Sequence, residues 1–234
     1  LPISYGVLRD ILPMISSAKA YRAFTERKTV KFDCSVPLDD YQRKAVNEVE
    51  NQKYGILQSP AGSGKTQMGI ALMADLGLKT LWLTHTKDLL TQSKERAELY
   101  MSSDLIGTIT EGKVNIGSGV TFATVQTMCV LDLERYRDIW DVVIVDECHR
   151  CSGTPTAMTQ FYKVLNNLAA RYKFGLSATV HRSDGTIKAT YALLGKVVYT
   201  VPEKAVADRV MKVGIKECHT GIKLSRECLN TDGT

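Results

Sequence analysis

Several absences narrow this 234-residue sequence before any motif is considered. No apolar run approaches the 18 or so residues that span a bilayer, and no signal-peptide pattern opens the chain. That leaves an intracellular protein with no membrane partner as the expectation, cytoplasmic if the source is bacterial or phage. The six cysteines (34, 129, 148, 151, 218 and 228) lack the regular spacing of a disulfide framework, which implies reduced thiols. No internal repeat and no low-complexity tract interrupts the chain. Strong charge of one sign is also missing: the net +5 is nearly all in residues 1–31, where Arg9, Lys19, Arg22, Arg27, Lys28 and Lys31 face only Asp10 and Glu26. The remaining chain is close to neutral, so bulk charge argues little for a nucleic-acid partner.

What remains is an ordinary globular composition, 44% hydrophobic and 24% charged, enough for one good core. From about residue 36, short apolar runs alternate with helix-period stretches. Residues 53–60, 79–85, 120–125, 141–147 and 172–179 read as strands. Residues 38–49 and 87–101 place Leu38, Tyr41, Ala45, Val49 and Leu90, Ala97, Met101 on single helical faces. Strand and helix in turn predict an α/β fold, a mainly parallel sheet with helices on both faces. Ligands of such sheets bind beyond the carboxyl ends of the strands, where Ser59, Thr84, Asp146 and Ser177 should gather. Residues 1–35 break the rhythm and read as the end of a preceding domain or extension. Residues 36–205 form the α/β body, and 206–234 a linker, with "VVYTVP" and "MKVGIKECHT" as two further strand-like pieces near the end. The chain opens on Leu1 rather than Met, as a piece of a longer protein would.

The stretch "SPAGSGKT" (59–66) follows a predicted strand and opens a helix. Gly62 and Gly64 let the backbone turn its N–H groups inward around Ser63, and the helix amino terminus favours an anion. Lys65 reaches phosphate oxygens, and the Thr66 hydroxyl suits Mg²⁺. Ser59 stands where this phosphate-binding pattern has its first glycine. A cradle of this kind needs a partner carboxylate for its magnesium and a group to orient the attacking water. Asp146 and Glu147 end the apolar run Val142–Val145 and fill those roles, Asp146 as magnesium ligand, directly or through water, and Glu147 as the base.

"DECHRC" also holds a Cys-x-x-Cys pair. A structural zinc site needs a second ligand pair, and none follows. Two carboxylates just before Cys148 raise a thiol pKa rather than lower it, which disfavours redox chemistry. Cys148 and Cys151 read as buried bystanders.

With these motifs placed, the sequence resembles the first motor domain of superfamily 2 DExH-box helicases and translocases, a RecA-like P-loop domain. It looks most like the branch holding the xeroderma pigmentosum type B helicases, type III restriction subunits and phage helicases. "LDDYQRKAV" (38–46) resembles the Q-motif region and implies Gln42 as an adenine contact. "SPAGSGKT" matches motif I, "LTHTKDLLTQ" (83–92) motif Ia, "ATVQTM" (123–128) the following strand-binding motif, "VDECH" motif II and "GLSAT" (175–179) motif III. "HRSDG" (181–185) continues in that branch's manner, and Val180 replaces the usual proline before it. The resemblance implies ATP and Mg²⁺ as cofactors and DNA as partner, with RNA not distinguished. It also implies a second RecA-like domain from the same parent chain, which supplies arginine fingers. His149, Ser177 and Thr179 are then implied in coupling nucleotide state to nucleic-acid grip. Thr84, Lys87, Thr124, Gln126 and Thr127 are implied as backbone contacts to nucleic acid; as residues they serve equally as caps and turn formers. The basic stretch 19–31 reads as a solvated helix face before a nucleic-acid arm. Two further functional readings stand beside the DNA motor. One is the motor portion of a restriction enzyme; the other is a half-motor kept as a nucleic-acid-binding module.

Overall fold

The computed structural model describes residues 29–152, 154–179 and 187–207. The stretch 19–31 up to residue 28, the segment "HRSDG", the piece "MKVGIKECHT" and most of the 206–234 linker lie outside them. Among the described residues a single eight-stranded sheet forms the centre. Its strands are β1 (Tyr54–Gln58), β2 (Thr80–Thr84), β3 (Ile106–Thr110), β4 (Lys113–Asn115), β5 (Val120–Thr124), β6 (Val142–Val145), β7 (Tyr172–Ser177) and β8 (Val197–Thr200), in the order β4-β3-β5-β2-β6-β7-β1-β8. Every pairing is parallel except β3 with β4. The α/β fold expected from alternating strands and helices is therefore present, with β2, β6, β7 and β1 side by side.

Among the described residues six α-helices cover the two faces: α1 (Asp40–Glu50), α2 (Lys65–Leu76), α3 (Lys87–Glu98), α4 (Val125–Val130), α5 (Pro155–Asn167) and α6 (Ile187–Leu194). Side chains alternate across each strand, so successive residues enter opposite halves of the core. Trp82, Phe122, Ile144 and Leu176 pack with α1, α2 and α3. Leu81, Leu83, Val143 and Val145 pack with Phe161 and Leu165 of α5, Met128 of α4 and Leu194 of α6. The central strands β2, β5 and β6 are buried at every position, because helices cover both faces.

Two features went unread in the sequence. The β3–β4 hairpin turns through Glu111 (φ 51°) and Gly112 (φ 75°), a two-residue turn of positive φ that matches strand twist. Its strands are short, and β4 is exposed throughout, so no apolar run announced them. Helix α5 starts where the Thr154 hydroxyl accepts the Ala157 N–H at 3.1 Å, with Pro155 in the first turn. At the amino-terminal end, Val30 N–H donates to the Gly77 carbonyl at 2.8 Å, and Phe32 and Cys34 pack against the core. Residues 30–34 thus lie on the α/β body itself.

Candidate active site

The glycine-rich segment 59–66 leaves β1 at Ser59, whose N–H donates to the Ser177 carbonyl at 2.9 Å and whose hydroxyl bonds that of Ser63 at 2.5 Å. Gly62 (φ 76°) and Gly64 (φ 81°) take the left-handed conformation that the loop needs and that other residues resist. Gly64 is also the amino cap of α2, so Lys65 and Thr66 begin the helix at the mouth of the loop.

Gln42 seals the loop from the side. It is buried; its amide nitrogen donates to the Ser63 carbonyl at 2.9 Å and its oxygen accepts from Asp39 N–H at 2.9 Å. The Tyr41 phenol donates to the same Ser63 carbonyl at 3.0 Å. A Cβ at position 64 would stand 2.4 Å from the Gln42 amide nitrogen, so the contact requires glycine there.

Two strands away from β1, β6 delivers Asp146 and Glu147. Asp146 is 4% exposed, and both of its oxygens are engaged. Oδ1 accepts Glu147 N–H at 3.0 Å, and Oδ2 accepts the Ser93 hydroxyl at 3.1 Å. Burial, and then the neighbouring Glu147 charge, push the Asp146 pKa up; Ser93, the Glu147 N–H and Lys65 pull against them. Glu147 sits at φ 48°, a conformation that costs a non-glycine residue energy and persists where surroundings impose it. One of its oxygens lies 3.8 Å from Lys65 Nζ and the other 3.2 Å from His149 Nδ1. The His149 hydrogen bond, and after it the charges of Lys65, His149 and Arg150, hold the Glu147 pKa below its ordinary value against the opposing effect of burial.

His149 Nδ1 also lies 3.0 Å from the Ser177 hydroxyl, which itself donates to the Thr179 carbonyl at 2.8 Å. Since Ser177 has spent its hydrogen and a carboxylate only accepts, the proton in both contacts resides on Nδ1. A continuous polar path therefore joins Lys65, Glu147, His149, Ser177 and Thr179.

A cleft of about 400 Å³ opens between the loop and the acidic pair, lined by Gln42, Gly62, Gly64, Lys65, Thr66, Asp146 and Glu147. Gln92, Ser93 and Arg96 of α3 also line it; Gln92 ends the stretch 83–92, whereas Ser93 and Arg96 fall outside every motif quoted from the sequence. A signal for Ser93 was present: it falls three residues after Leu90 and four before Ala97, a polar residue on a buried stripe. The donors facing the cleft are hard oxygens, the Thr66 hydroxyl and the Asp146 carboxylate, beside a lysine and inward-turned backbone. They fit Mg²⁺ carried by a nucleoside polyphosphate, a metal that keeps few protein ligands and takes the rest from phosphate and water.

The residues named for nucleic acid lie on the far side of Asp146, at the adjacent ends of β2 and β5, where Thr84 pairs with Thr124. Thr84 is fully buried, and its hydroxyl reaches the Thr86 and Ala123 carbonyls. Thr124 caps α4 by accepting from Thr127 N–H, and the two hydroxyls bond at 2.9 Å. These three hydroxyls are turned into the protein. Lys87 and Gln126 are exposed; Lys87 pairs with Glu111 at 2.6 Å, and Gln126 donates to the His85 carbonyl at 2.8 Å.

Cys148 and Cys151 are fully buried in the core, with Cys148 packed on Gly175, and burial drives both thiol pKa values upward. Among the described residues no group of three or more His, Cys, Asp or Glu side chains is placed to hold a metal ion.

Sheet order, loop and acidic pair define a RecA-like P-loop domain of the DExH type. A profile of the type III restriction enzyme res subunit family matches residues 35–182, and the chain belongs to that family. A DNA 3′–5′ translocase XPB2 of Sulfurisphaera tokodaii is 30% identical over 189 residues, covering 80% of this chain and 41% of the relative. A DNA 3′–5′ helicase XPB of Mycobacterium tuberculosis is 29% identical over 183 residues, covering 72% of this chain and 31% of the relative. The chain thus spans less than half the length of these curated relatives. Among solved structures, the UvsW helicase of bacteriophage T4 shares the fold with a TM-score of 0.59 at 22% identity, over 82% of this chain and 67% of that one. No helix among the described residues is long and apolar enough to cross a membrane.

Proposed function

We propose that these residues form the first motor domain of an ATP-driven DNA helicase or translocase, working with a second RecA-like domain of its parent chain. The observation that carries this reading is the facing of the Gly62–Thr66 cradle and the Asp146–Glu147 pair across one cleft. In it the backbone of Gly62, Ser63 and Gly64 cradles phosphates, and Lys65 exchanges its Glu147 contact for phosphate oxygens. Thr66 and Asp146 would hold Mg²⁺, directly or through water, and the ion would screen the phosphate charge. Glu147, with its lowered pKa, is ionised at neutral pH and accepts a hydrogen bond or proton from the hydrolytic water. Gln42 faces the cleft with one amide hydrogen still to offer an adenine edge. The path through His149, Ser177 and Thr179 couples Glu147 to the interdomain side.

DNA as the track is supported by the relatives' names, 3′–5′ DNA translocase and helicases. Lys87 and Gln126, with backbone N–H groups around Thr84, Thr124 and Thr127, meet phosphates without reading bases. The test is a titration of the chain with a fluorescent ADP analogue in Mg²⁺ beside Lys65→Ala. Saturable binding that the variant loses is expected; equal binding by both proteins overturns the assignment of the cradle.

A further inference from the structure

Ser93 belongs to none of the motifs named above, yet among the described residues it makes the one side-chain hydrogen bond to Asp146 that comes from another element of the fold. Its hydroxyl stands 3.1 Å from Oδ2, and the residue is 2% exposed. A serine in mid-helix commonly bonds back to the carbonyl one turn earlier; here the bond crosses from α3 to the end of β6 instead. Glu147 N–H holds the other oxygen, Oδ1, at 3.0 Å. An ionised carboxylate has about four acceptor positions, two on each oxygen. With one on each oxygen taken, the plane of the group is fixed and the remaining positions stay available to a cation. Without Ser93, Oδ2 loses the one protein donor it has among the described residues, and the carboxylate is held through Oδ1 alone.

We propose that Ser93 is a positioning residue, its hydroxyl orienting the Asp146 carboxylate to receive, directly or through water, the Mg²⁺ carried by the nucleotide. The inference rests on the reading of the cleft as a Mg-nucleotide site. Metal-binding groups are generally held by such outer hydrogen bonds, and losing one typically weakens the metal about 10–100-fold. A merely structural serine, filling space between α3 and β6, predicts a different outcome: its removal changes stability and leaves the metal dependence of nucleotide binding alone.

The experiment is a titration of the 234-residue chain with a fluorescent ADP analogue, in Mg²⁺ and again in EDTA. It compares the native chain, Ser93→Ala, and the equally shaped pair Ser93→Thr and Ser93→Val, with thermal melting of each. In Ser93→Ala and Ser93→Val the affinity in Mg²⁺ is expected to fall about tenfold, with affinity in EDTA unchanged. Ser93→Thr, which keeps a hydroxyl, retains the native Mg²⁺ dependence. An unchanged Mg²⁺ dependence in Ser93→Ala, or an equal loss with and without Mg²⁺, overturns the proposal while leaving the cradle assignment standing. Failure of the native chain to bind in either condition instead removes the nucleotide-site reading, and the proposal with it.

Discussion

Lys173 on β7 is 1% exposed, and its ammonium end points at the carboxyl end of α5, donating to the carbonyls of Leu165 and Leu168, the latter at 3.0 Å. Burial lowers its pKa from the ordinary lysine value to about 7. A neutral amine still carries two N–H donors, one for each carbonyl. In the unfolded chain the same amine stays charged to about pH 10. Between roughly pH 7 and 10 the unfolded state therefore binds a proton that the folded state does not, and stability rises with pH. Below pH 7 both states are charged and the burial penalty is present in full. Denaturant melts at pH 7, 8 and 9 should show the native chain gaining about 1 kcal/mol per pH unit relative to Lys173→Met. Parallel pH profiles for the two proteins would refute the buried-lysine account. Cys148 and Cys151 show the same residue-scale logic with opposite visibility. Their neighbouring carboxylates argue in the sequence for a raised thiol pKa, and complete burial, which only the fold supplies, acts in the same direction.

At the scale of elements, α2 carries a glycine, Gly69, in the middle of an otherwise good helix, where sequence alone counts it a defect of about 1 kcal/mol against alanine. The packing reverses that judgement. A Cβ there would lie 2.5 Å from the Trp82 ring and 2.7 Å from Leu176, so glycine lets the helix settle on β2 and β7. Gly69→Ala is expected to lose about 1–3 kcal/mol in a denaturant melt despite its better helix propensity; a stabilised variant would mean that the ring moves aside freely. The same distinction sorts what was legible. Strands β1, β2, β5, β6 and β7 were visible as apolar runs because both of their faces are buried. The β3–β4 hairpin was not: only Gly107 and Ile109 of β3 are buried, its turn needs only two residues, and β4 buries nothing. The strand-end threonines were visible as polar punctuation, but whether Thr84 and Thr124 face solvent or their own backbone was settled by packing.

Across the whole molecule, the 234 residues contain one sheet among the described residues and no Q-x-x-G-R-x-x-R run. An arginine finger is worth about 10³–10⁵ in rate in phosphoryl-transfer enzymes. The isolated chain is accordingly expected to bind Mg-nucleotide but release phosphate from ATP slowly, with no stimulation by added DNA. Phosphate release measured with and without an oligonucleotide checks this, and DNA-stimulated turnover by these residues alone would contradict it. The sequence by itself determined the alternation of strand and helix, the glycine-rich loop at 59–66 and the acidic pair at 146–147. Each of these depends on neighbours in the chain: a glycine at positive φ, a helix start, a run of apolar residues ended by charge. The tertiary structure decided what depends on distant residues meeting. It placed β6 two strands from β1, so that Glu147 comes within 3.8 Å of Lys65, and laid α3 where Ser93 reaches Asp146. It also turned His149 onto Ser177. These contacts join residues 28 to 82 positions apart, a spacing that periodicity along the chain does not encode and that sheet order and the packing of α3 supply.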